Sequence, residues 1–152
     1  MSLYLDYNAT APLRPVALAA LEQAYAQTGN ASSVHAAGRQ ARALVEQARQ
    51  QIAALAGFTP AELVFTSGGT ESNHLALTGL KVAARLTSSI EHESILKNSE
   101  GVQRLPVTAD GVVDLAAARQ LIAAAPRPAL VSVMWVNNET GVIQPIAQLL
   151  EL

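Results

Sequence analysis

The chain has 152 residues, half of them hydrophobic and 14% charged, with a net charge of −2 at neutral pH; this excludes a disordered protein and allows one domain with a core. It has no basic run, which argues against nucleic acid and membrane partners, and its longest strongly apolar run, residues 129–136, is too short to span a bilayer. The sequence shows neither a positively charged leader nor a cysteine, and we therefore expect a cytoplasmic protein.

The first third of the chain is predicted to be helical after a short extended start at residues 3–5. Apolar residues at helical spacing predict a helix over residues 16–27. A longer apolar stripe predicts a second helix over residues 36–56, which stops at Gly57, a residue type that commonly follows a helix. Residues 30–35 form the loop between them.

From residue 62 onward, strand and helix patterns alternate. Strands are predicted over residues 62–66, 86–91, 102–107 and 129–136, and helices over residues 71–85, 92–99, 114–125 and from 146. The last strand is a continuous apolar, β-branched run, which is typical of a strand buried on both faces. This alternation predicts an α/β fold with a mostly parallel sheet flanked by helices.

A glycine turn, Ser67-Gly68-Gly69-Thr70, follows the first of these strands. Glycines let a backbone approach a phosphate closely, and the first amides of the next helix then point at the anion without internal partners. The spacing matches neither a P-loop nor a dinucleotide fingerprint. An ordinary tight turn with a hydroxyl cap on the helix would have the same sequence.

Polar residues also follow the last predicted strand, as Asn137-Asn138-Glu139. Ligands of open α/β sheets bind at the carboxyl ends of the strands, and an asparagine there can donate to an oxyanion. The alternative is that these residues only make a turn.

Another polar group, Glu91-His92-Glu93, lies at the end of a predicted strand. A histidine at that edge can move protons near neutral pH or stack on an aromatic cofactor, although a surface residue or a helix cap has the same pattern. His35 and His74 are not spaced to ligate a metal together with it, so no metal site is expected.

Taken in order, these stretches resemble the N-terminal half of a cysteine desulfurase of the NifS/IscS type. That group belongs to the class V aminotransferase family of fold-type-I enzymes dependent on pyridoxal phosphate. The matching stretches are residues 4–12, 29–35, 62–73, 91–92 and 136–141, spread over essentially the whole chain. The resemblance implies that residues 16–152 are part of the large domain that binds pyridoxal phosphate, incomplete in this chain, and that residues 1–15 line the active-site entrance.

The resemblance also implies roles for individual residues. It assigns the cofactor phosphate to Gly69 and Thr70. His92 would be catalytic, stacking on the pyridine ring and assisting proton transfers, and Asn138 would bind the ring's phenolic oxygen and approach the substrate carboxylate. Ala9 and Thr10 would line the substrate site.

The implied activity is the conversion of L-cysteine to L-alanine, with sulfur taken up as an enzyme persulfide. The sulfur would pass to an acceptor or scaffold protein, for iron–sulfur clusters or other sulfur compounds, and the complete enzyme would be a homodimer. The Schiff-base lysine and the persulfide cysteine of that family come later than residue 152, and Lys81 and Lys97 do not lie in the matching context.

Two alternatives remain at this stage. One is a related class V enzyme such as selenocysteine lyase. The other is a catalytically inactive fragment that acts only as a folding or binding half. The apolar composition, with a mean hydropathy of +0.22, fits a chain whose apolar surface is covered by further chain or a partner, but it fits an alanine-rich helical protein equally well.

Overall fold

The computed structural model describes residues 3–97 and 101–152. The chain divides into two compact units, Met1–Phe65 and Thr66–Leu152. The boundary precedes Ser67, so the whole glycine turn belongs to the second unit. The assignment of residues 1–15 to the active-site entrance and of residues 16–152 to the cofactor-binding domain refers to functional roles, and it stays a prediction.

The first unit is helical, as predicted. Its elements are helix α1 (Pro15–Tyr25), helix α2 (Ala36–Ala56) and a 3₁₀ turn (Pro60–Glu62). Proline suits the first position of α1 because its missing N–H would have no partner there. His35 caps α2 by accepting a hydrogen bond from Gly38 N at Nδ1 (3.3 Å), and Gly57 ends the helix with φ of +77°, a conformation that favours glycine.

The strand predicted over residues 62–66 is wrong for the described part of the chain. Glu62 Oε2 accepts hydrogen bonds from Thr59 N and Oγ1, both at 2.7 Å, and the 3₁₀ turn occupies the start of the predicted strand. Leu63 is extended, with φ of −99° and ψ of 127°. However, its carbonyl accepts from Arg49 Nη1 (2.5 Å), and no strand among the described residues pairs with this segment. Extended residues without a ladder partner do not form a sheet.

The second unit alternates helices and strands. Its elements are α3 (Gly69–Gly79), β1 (Ala84–Ser88), α4 (Glu93–Leu96), β2 (Gln103–Leu105), α5 (Leu115–Ala124), β3 (Ala129–Ser132) and α6 (Ile146–Leu150). The predicted end of α4 at residue 99 lies outside the described residues.

Helix α3 is shorter than predicted, because the chain becomes extended at Leu80 (φ −90°, ψ 130°). The guanidinium of Arg85 donates to the carbonyl oxygens of Leu77 and Leu80. It thereby satisfies carbonyls at the helix end that have no partner within the helix. Arg85, assigned to this helix from the sequence, therefore lies in β1.

The described strands form a parallel sheet in the order β2-β1-β3, in which Leu86 of β1 is aligned with Gln103 and with Val131. Parallel neighbours need crossover connections, and these contain α4 and α5. The predicted α/β class is confirmed. The prediction that residues 129–136 form a strand buried on both faces is wrong: β3 has four residues and lies at the edge of the sheet that the described strands form, and Val131 is 37% exposed.

The core of this unit lies between the sheet and α5. It consists of Leu86, Leu105, Val113, Ala118, Ile122 and Ala125. Helix α5 begins after Asp114, whose Oδ1 accepts from the amides of Ala116 (2.9 Å) and Ala117 (3.1 Å). This cap satisfies two first-turn amides of the helix. In the described part of the chain, no helix combines the length and apolarity needed to cross a membrane.

Candidate active site

The carboxyl ends of β1 and β3 meet at one edge of the sheet, because the two strands are parallel neighbours. From β1 the chain crosses to β2 on one side, and it then returns past β1 to β3 on the other. Such a reversal of direction leaves a crevice between the two strand ends, where open α/β sheets bind ligands. His92 follows β1 and Asn138 follows β3 at this edge.

Glu91 joins the two strand ends. Its side chain is buried, and Oε1 accepts hydrogen bonds from Ser88 Oγ (2.6 Å) at the end of β1 and from Met134 N (2.7 Å) after β3. Hydrogen bonds to a carboxylate are stronger than those between neutral groups. From the sequence, Glu91 was named only as part of the polar group around His92; its position at the end of the strand predicted over residues 86–91 was the available signal.

Asn137 makes a second connection between these segments. Its buried side chain donates from Nδ2 to Ile90 O (2.8 Å), and its Oδ1 accepts from the amides of Glu139 (2.9 Å) and Thr140 (2.8 Å). The turn after β3 is thus held against the loop after β1. Sequence reasoning singled out the neighbouring Asn138, which is exposed, and missed this role of Asn137.

A cleft of about 270 Å³ lies at this edge of the sheet. It is lined by both His92 and Asn138, together with Leu96 and Thr140 among others. The structure therefore brings these two predicted site residues to one cleft, although they are far apart in the sequence. The roles assigned to them stay predictions.

The glycine turn leaves open space at the start of α3. A Cβ atom added to Gly68 or Gly69 would have no heavy atom within 4 Å, and Thr70 is exposed in the first turn of the helix. The first amides of a helix have no partner within it and favour anions. This part of the chain therefore fits a phosphate group.

Glu71 holds the glycine turn together. Its Oε2 accepts hydrogen bonds from Ser67 N and Ser67 Oγ, both at 2.6 Å. These two bonds hold the pKa of the exposed Glu71 carboxyl below its usual 4.5, the hydroxyl having the larger effect. The carboxylate thus fixes the turn immediately before Gly68.

The start of α3 is linked to the cleft by side chains. Asn73 Nδ2 donates to Ser94 Oγ (2.8 Å), and Ser94 in turn contacts the ring of His92. Helices α3 and α4 pack together. The predicted phosphate-binding turn and His92 are therefore parts of one packed arrangement in the second unit.

Ala9 and Thr10 belong to the first unit, and both are exposed. Their amides donate to Asp6 O at 3.2 and 3.3 Å. The hydroxyl of Tyr4 lies 2.8 Å from Asp6 O and 3.0 Å from Thr10 O. This segment is a turn closed on itself, and its place in the substrate site stays a prediction.

Both lysines are exposed, and neither lines the cleft. Lys97 Nζ lies 2.5 Å from Glu93 Oε2, and the hydrogen bond and charge of this ammonium hold the pKa of Glu93 below 4.5. Among the residues that the structure describes, no group of three or more histidine, aspartate or glutamate side chains is placed to hold a metal ion.

Residues 3–152 match the family model for aminotransferase class V, and the chain belongs to this family. It is 42% identical to the IscS-like cysteine desulfurase of Mycobacterium tuberculosis over 96% of its own length. It covers 42% of that relative, so the chain spans about two fifths of the length of this curated protein.

Solved structures give the same result. The NifS-like protein of Rickettsia africae superposes with a TM-score of 0.89 at 35% identity, over 96% of this chain and 43% of the other. A structure described as SspA in complex with cysteine superposes with a TM-score of 0.82 at 32% identity, over 97% of this chain and 46% of the other. These likenesses confirm the predicted resemblance to NifS-type proteins and the predicted fold.

The first prediction concerns the pH dependence of the glycine turn. Because the pKa of Glu71 is lowered in the folded protein, its stabilising contribution is complete above its unfolded-state pKa and is lost as pH falls through the folded value. An NMR titration of the Glu71 carboxyl should give a midpoint below 4.5, with faster exchange of the Ser67 amide over the same range. Ser67→Ala should raise the midpoint, and a wild-type midpoint at or above 4.5 would contradict the two hydrogen bonds.

The second prediction compares the adjacent asparagines. In the complete protein, Asn137→Ala should lower the free energy of unfolding by about 1–3 kcal/mol, because it removes three hydrogen bonds of a buried side chain. Asn138→Ala, at an exposed position, should cost less than about 1 kcal/mol. Chemical denaturation of both variants measures the difference. Equal losses would show that Asn137 does not anchor the turn.

Proposed function

We propose that the complete protein containing this chain is a cysteine desulfurase dependent on pyridoxal phosphate. Membership of the class V family supports a cofactor of this kind, and the curated relatives that the chain matches are named cysteine desulfurases. The observation that carries the proposal is the cleft at the ends of β1 and β3, which is lined by His92 and Asn138. It lies in the same compact unit as the open turn at Gly69.

Gly69 and Thr70 would hold the cofactor phosphate. The open space beside Gly69 admits the phosphate close to the backbone, where first-turn amides favour an anion. The exposed Thr70 hydroxyl adds one further hydrogen-bond donor. When bound, pyridoxal phosphate supplies an electron sink for negative charge on the substrate's α-carbon.

His92 and Asn138 would act on the reacting groups. The planar His92 imidazole suits both stacking on a pyridine ring and proton transfer near neutral pH. The Asn138 amide would donate to the ring's phenolic oxygen and approach the substrate carboxylate. Ala9 and Thr10 would line the substrate entrance.

The net reaction takes L-cysteine and a protein thiol to L-alanine and a protein persulfide. The thiol sulfur forms the new S–S bond as the carbon–sulfur bond of the substrate breaks, and the carbon gains a proton. The described site would bind and orient the substrate; the 152 residues contain no cysteine, so the thiol belongs elsewhere in the complete protein. We also propose that the complete protein is a cytoplasmic homodimer. It would transfer the sulfur to an acceptor or scaffold protein for iron–sulfur cluster assembly.

The proposal is tested by assaying the complete protein with L-cysteine, pyridoxal phosphate and a thiol reductant. Alanine and sulfide should form in equal amounts, and His92→Ala should lower kcat while the cofactor is retained. Turnover of selenocysteine but not of cysteine would identify a selenocysteine lyase and contradict the proposal. Absence of turnover of either substrate by protein that has bound the cofactor would contradict it as well.

The third prediction concerns Thr70. Thr70→Val in the complete protein should weaken retention of pyridoxal phosphate by about 1–3 kcal/mol, since one phosphate hydrogen bond is lost. Thr78→Val is the matched control, because the Thr78 hydroxyl donates to His74 O (2.7 Å) further along the same helix. Equilibrium dialysis measures both affinities. If both variants bind as the wild type does, Thr70 does not contact the phosphate.

A further inference from the structure

The ring of His92 is held at one nitrogen. Nδ1 lies 3.1 Å from Ser94 N and 2.8 Å from Ser94 Oγ, and both hydrogen bonds that the described residues make to this ring are at Nδ1. His92 is the residue before α4, so the imidazole caps this short helix. One residue, Ser94, therefore contacts the ring through its backbone and through its side chain.

The backbone contact determines the tautomer. A peptide N–H can only donate, so Nδ1 must accept with its lone pair, and the proton of the neutral ring is on Nε2. The Ser94 hydroxyl can then also donate to Nδ1. It accepts at the same time from Asn73 Nδ2 (2.8 Å), which gives a chain of donors directed from Asn73 through Ser94 to His92.

Burial strengthens the effect of this chain. Ser94 is only 7% exposed, so solvent competes little for its hydroxyl, and a buried hydroxyl without a partner costs free energy. Asn73 belongs to α3, the helix that begins at Gly69. The Ser94 hydroxyl thus accepts a hydrogen bond from a helix other than its own.

We propose that Ser94 is a positioning residue, which fixes His92 as the Nε2–H tautomer and orients its ring, and that Asn73 orients Ser94. The role of this tautomer in catalysis rests on the proposed function. With Nδ1 occupied, Nε2 is the nitrogen left for a ligand, and it carries the proton. His92 therefore presents a hydrogen-bond donor to an anionic or carbonyl acceptor in the cleft, such as a substrate carboxylate, rather than a lone pair.

The test is proton–nitrogen NMR of the complete protein labelled with ¹⁵N-histidine, with and without pyridoxal phosphate. The His92 signals are identified by their loss in His92→Gln. In the wild type at a pH where the ring is neutral, Nδ1 should resonate as an unprotonated nitrogen and Nε2 as a protonated one. Ser94→Ala keeps the backbone N–H that selects this tautomer, so its ring should stay mainly Nε2–H. It loses only the hydroxyl bond to Nδ1, and since one ordinary hydrogen bond biases such an equilibrium by about three- to tenfold, the ratio should shift toward Nδ1–H by that factor.

Two further variants serve as controls. Ser94→Thr keeps the hydroxyl and should restore the wild-type ratio. Ser89→Ala removes a hydroxyl that donates to Leu105 O (2.8 Å) and should leave the ratio unchanged. A wild-type ring that is mainly Nδ1–H overturns the proposal without any variant, as does an unchanged ratio in folded Ser94→Ala. The tautomer is read without substrate, so a protein that lacks desulfurase activity but shows these shifts would refute the proposed function and leave the role of Ser94 supported.

Discussion

Hydrogen bonds from two buried side chains, Glu91 and Asn137, cross from the end of β1 to the segment after β3. Segments that leave neighbouring parallel strands have no ladder to hold them together. In this protein a carboxylate accepts from Met134 N, and an amide donates to Ile90 O. The cleft at the sheet edge depends on these bonds, because its two sides are the segments that they join.

Each of the two buried residues, Glu91 and Asn137, directly precedes a residue that is proposed to act in the cleft. Glu91 precedes His92, and Asn137 precedes Asn138. In each pair the first residue is buried and bonded to the opposite segment, the second is exposed, and both line the cleft. The buried residue can hold the edge of the sheet while its exposed neighbour stays accessible to a ligand. Loss of Glu91 or Asn137 would therefore displace the neighbouring residue that is proposed to act in the cleft.

Local signals predicted much of the fold. The two helices of the first unit follow from apolar spacing and the stop at Gly57, and the parallel sheet follows from the alternation of strand and helix patterns. The segment 62–66 was misassigned because β-prone composition does not supply a pairing strand. The length and burial of β3 were overestimated because they depend on which strand lies beside it.

The candidate site was also predictable only in part, because local sequence patterns do not show which distant segments meet. Polar residues at strand ends marked His92 and Asn138, and the glycines marked the start of α3. The roles of Glu91, Asn137 and Ser94 depend on partners up to 47 residues away, which no local pattern reveals. The residues proposed to bind ligands were thus easier to find from the sequence than the residues proposed to position them.

The central claim is that the turn at Gly69 and Thr70, His92 and Asn138 form a single cofactor site. Amide hydrogen exchange of the complete protein, with and without pyridoxal phosphate, tests it directly. The account predicts slower exchange on binding in residues 67–72, 90–96 and 136–141 together, with little change in α5. Protection confined to other segments, or to only one of these three, would contradict it.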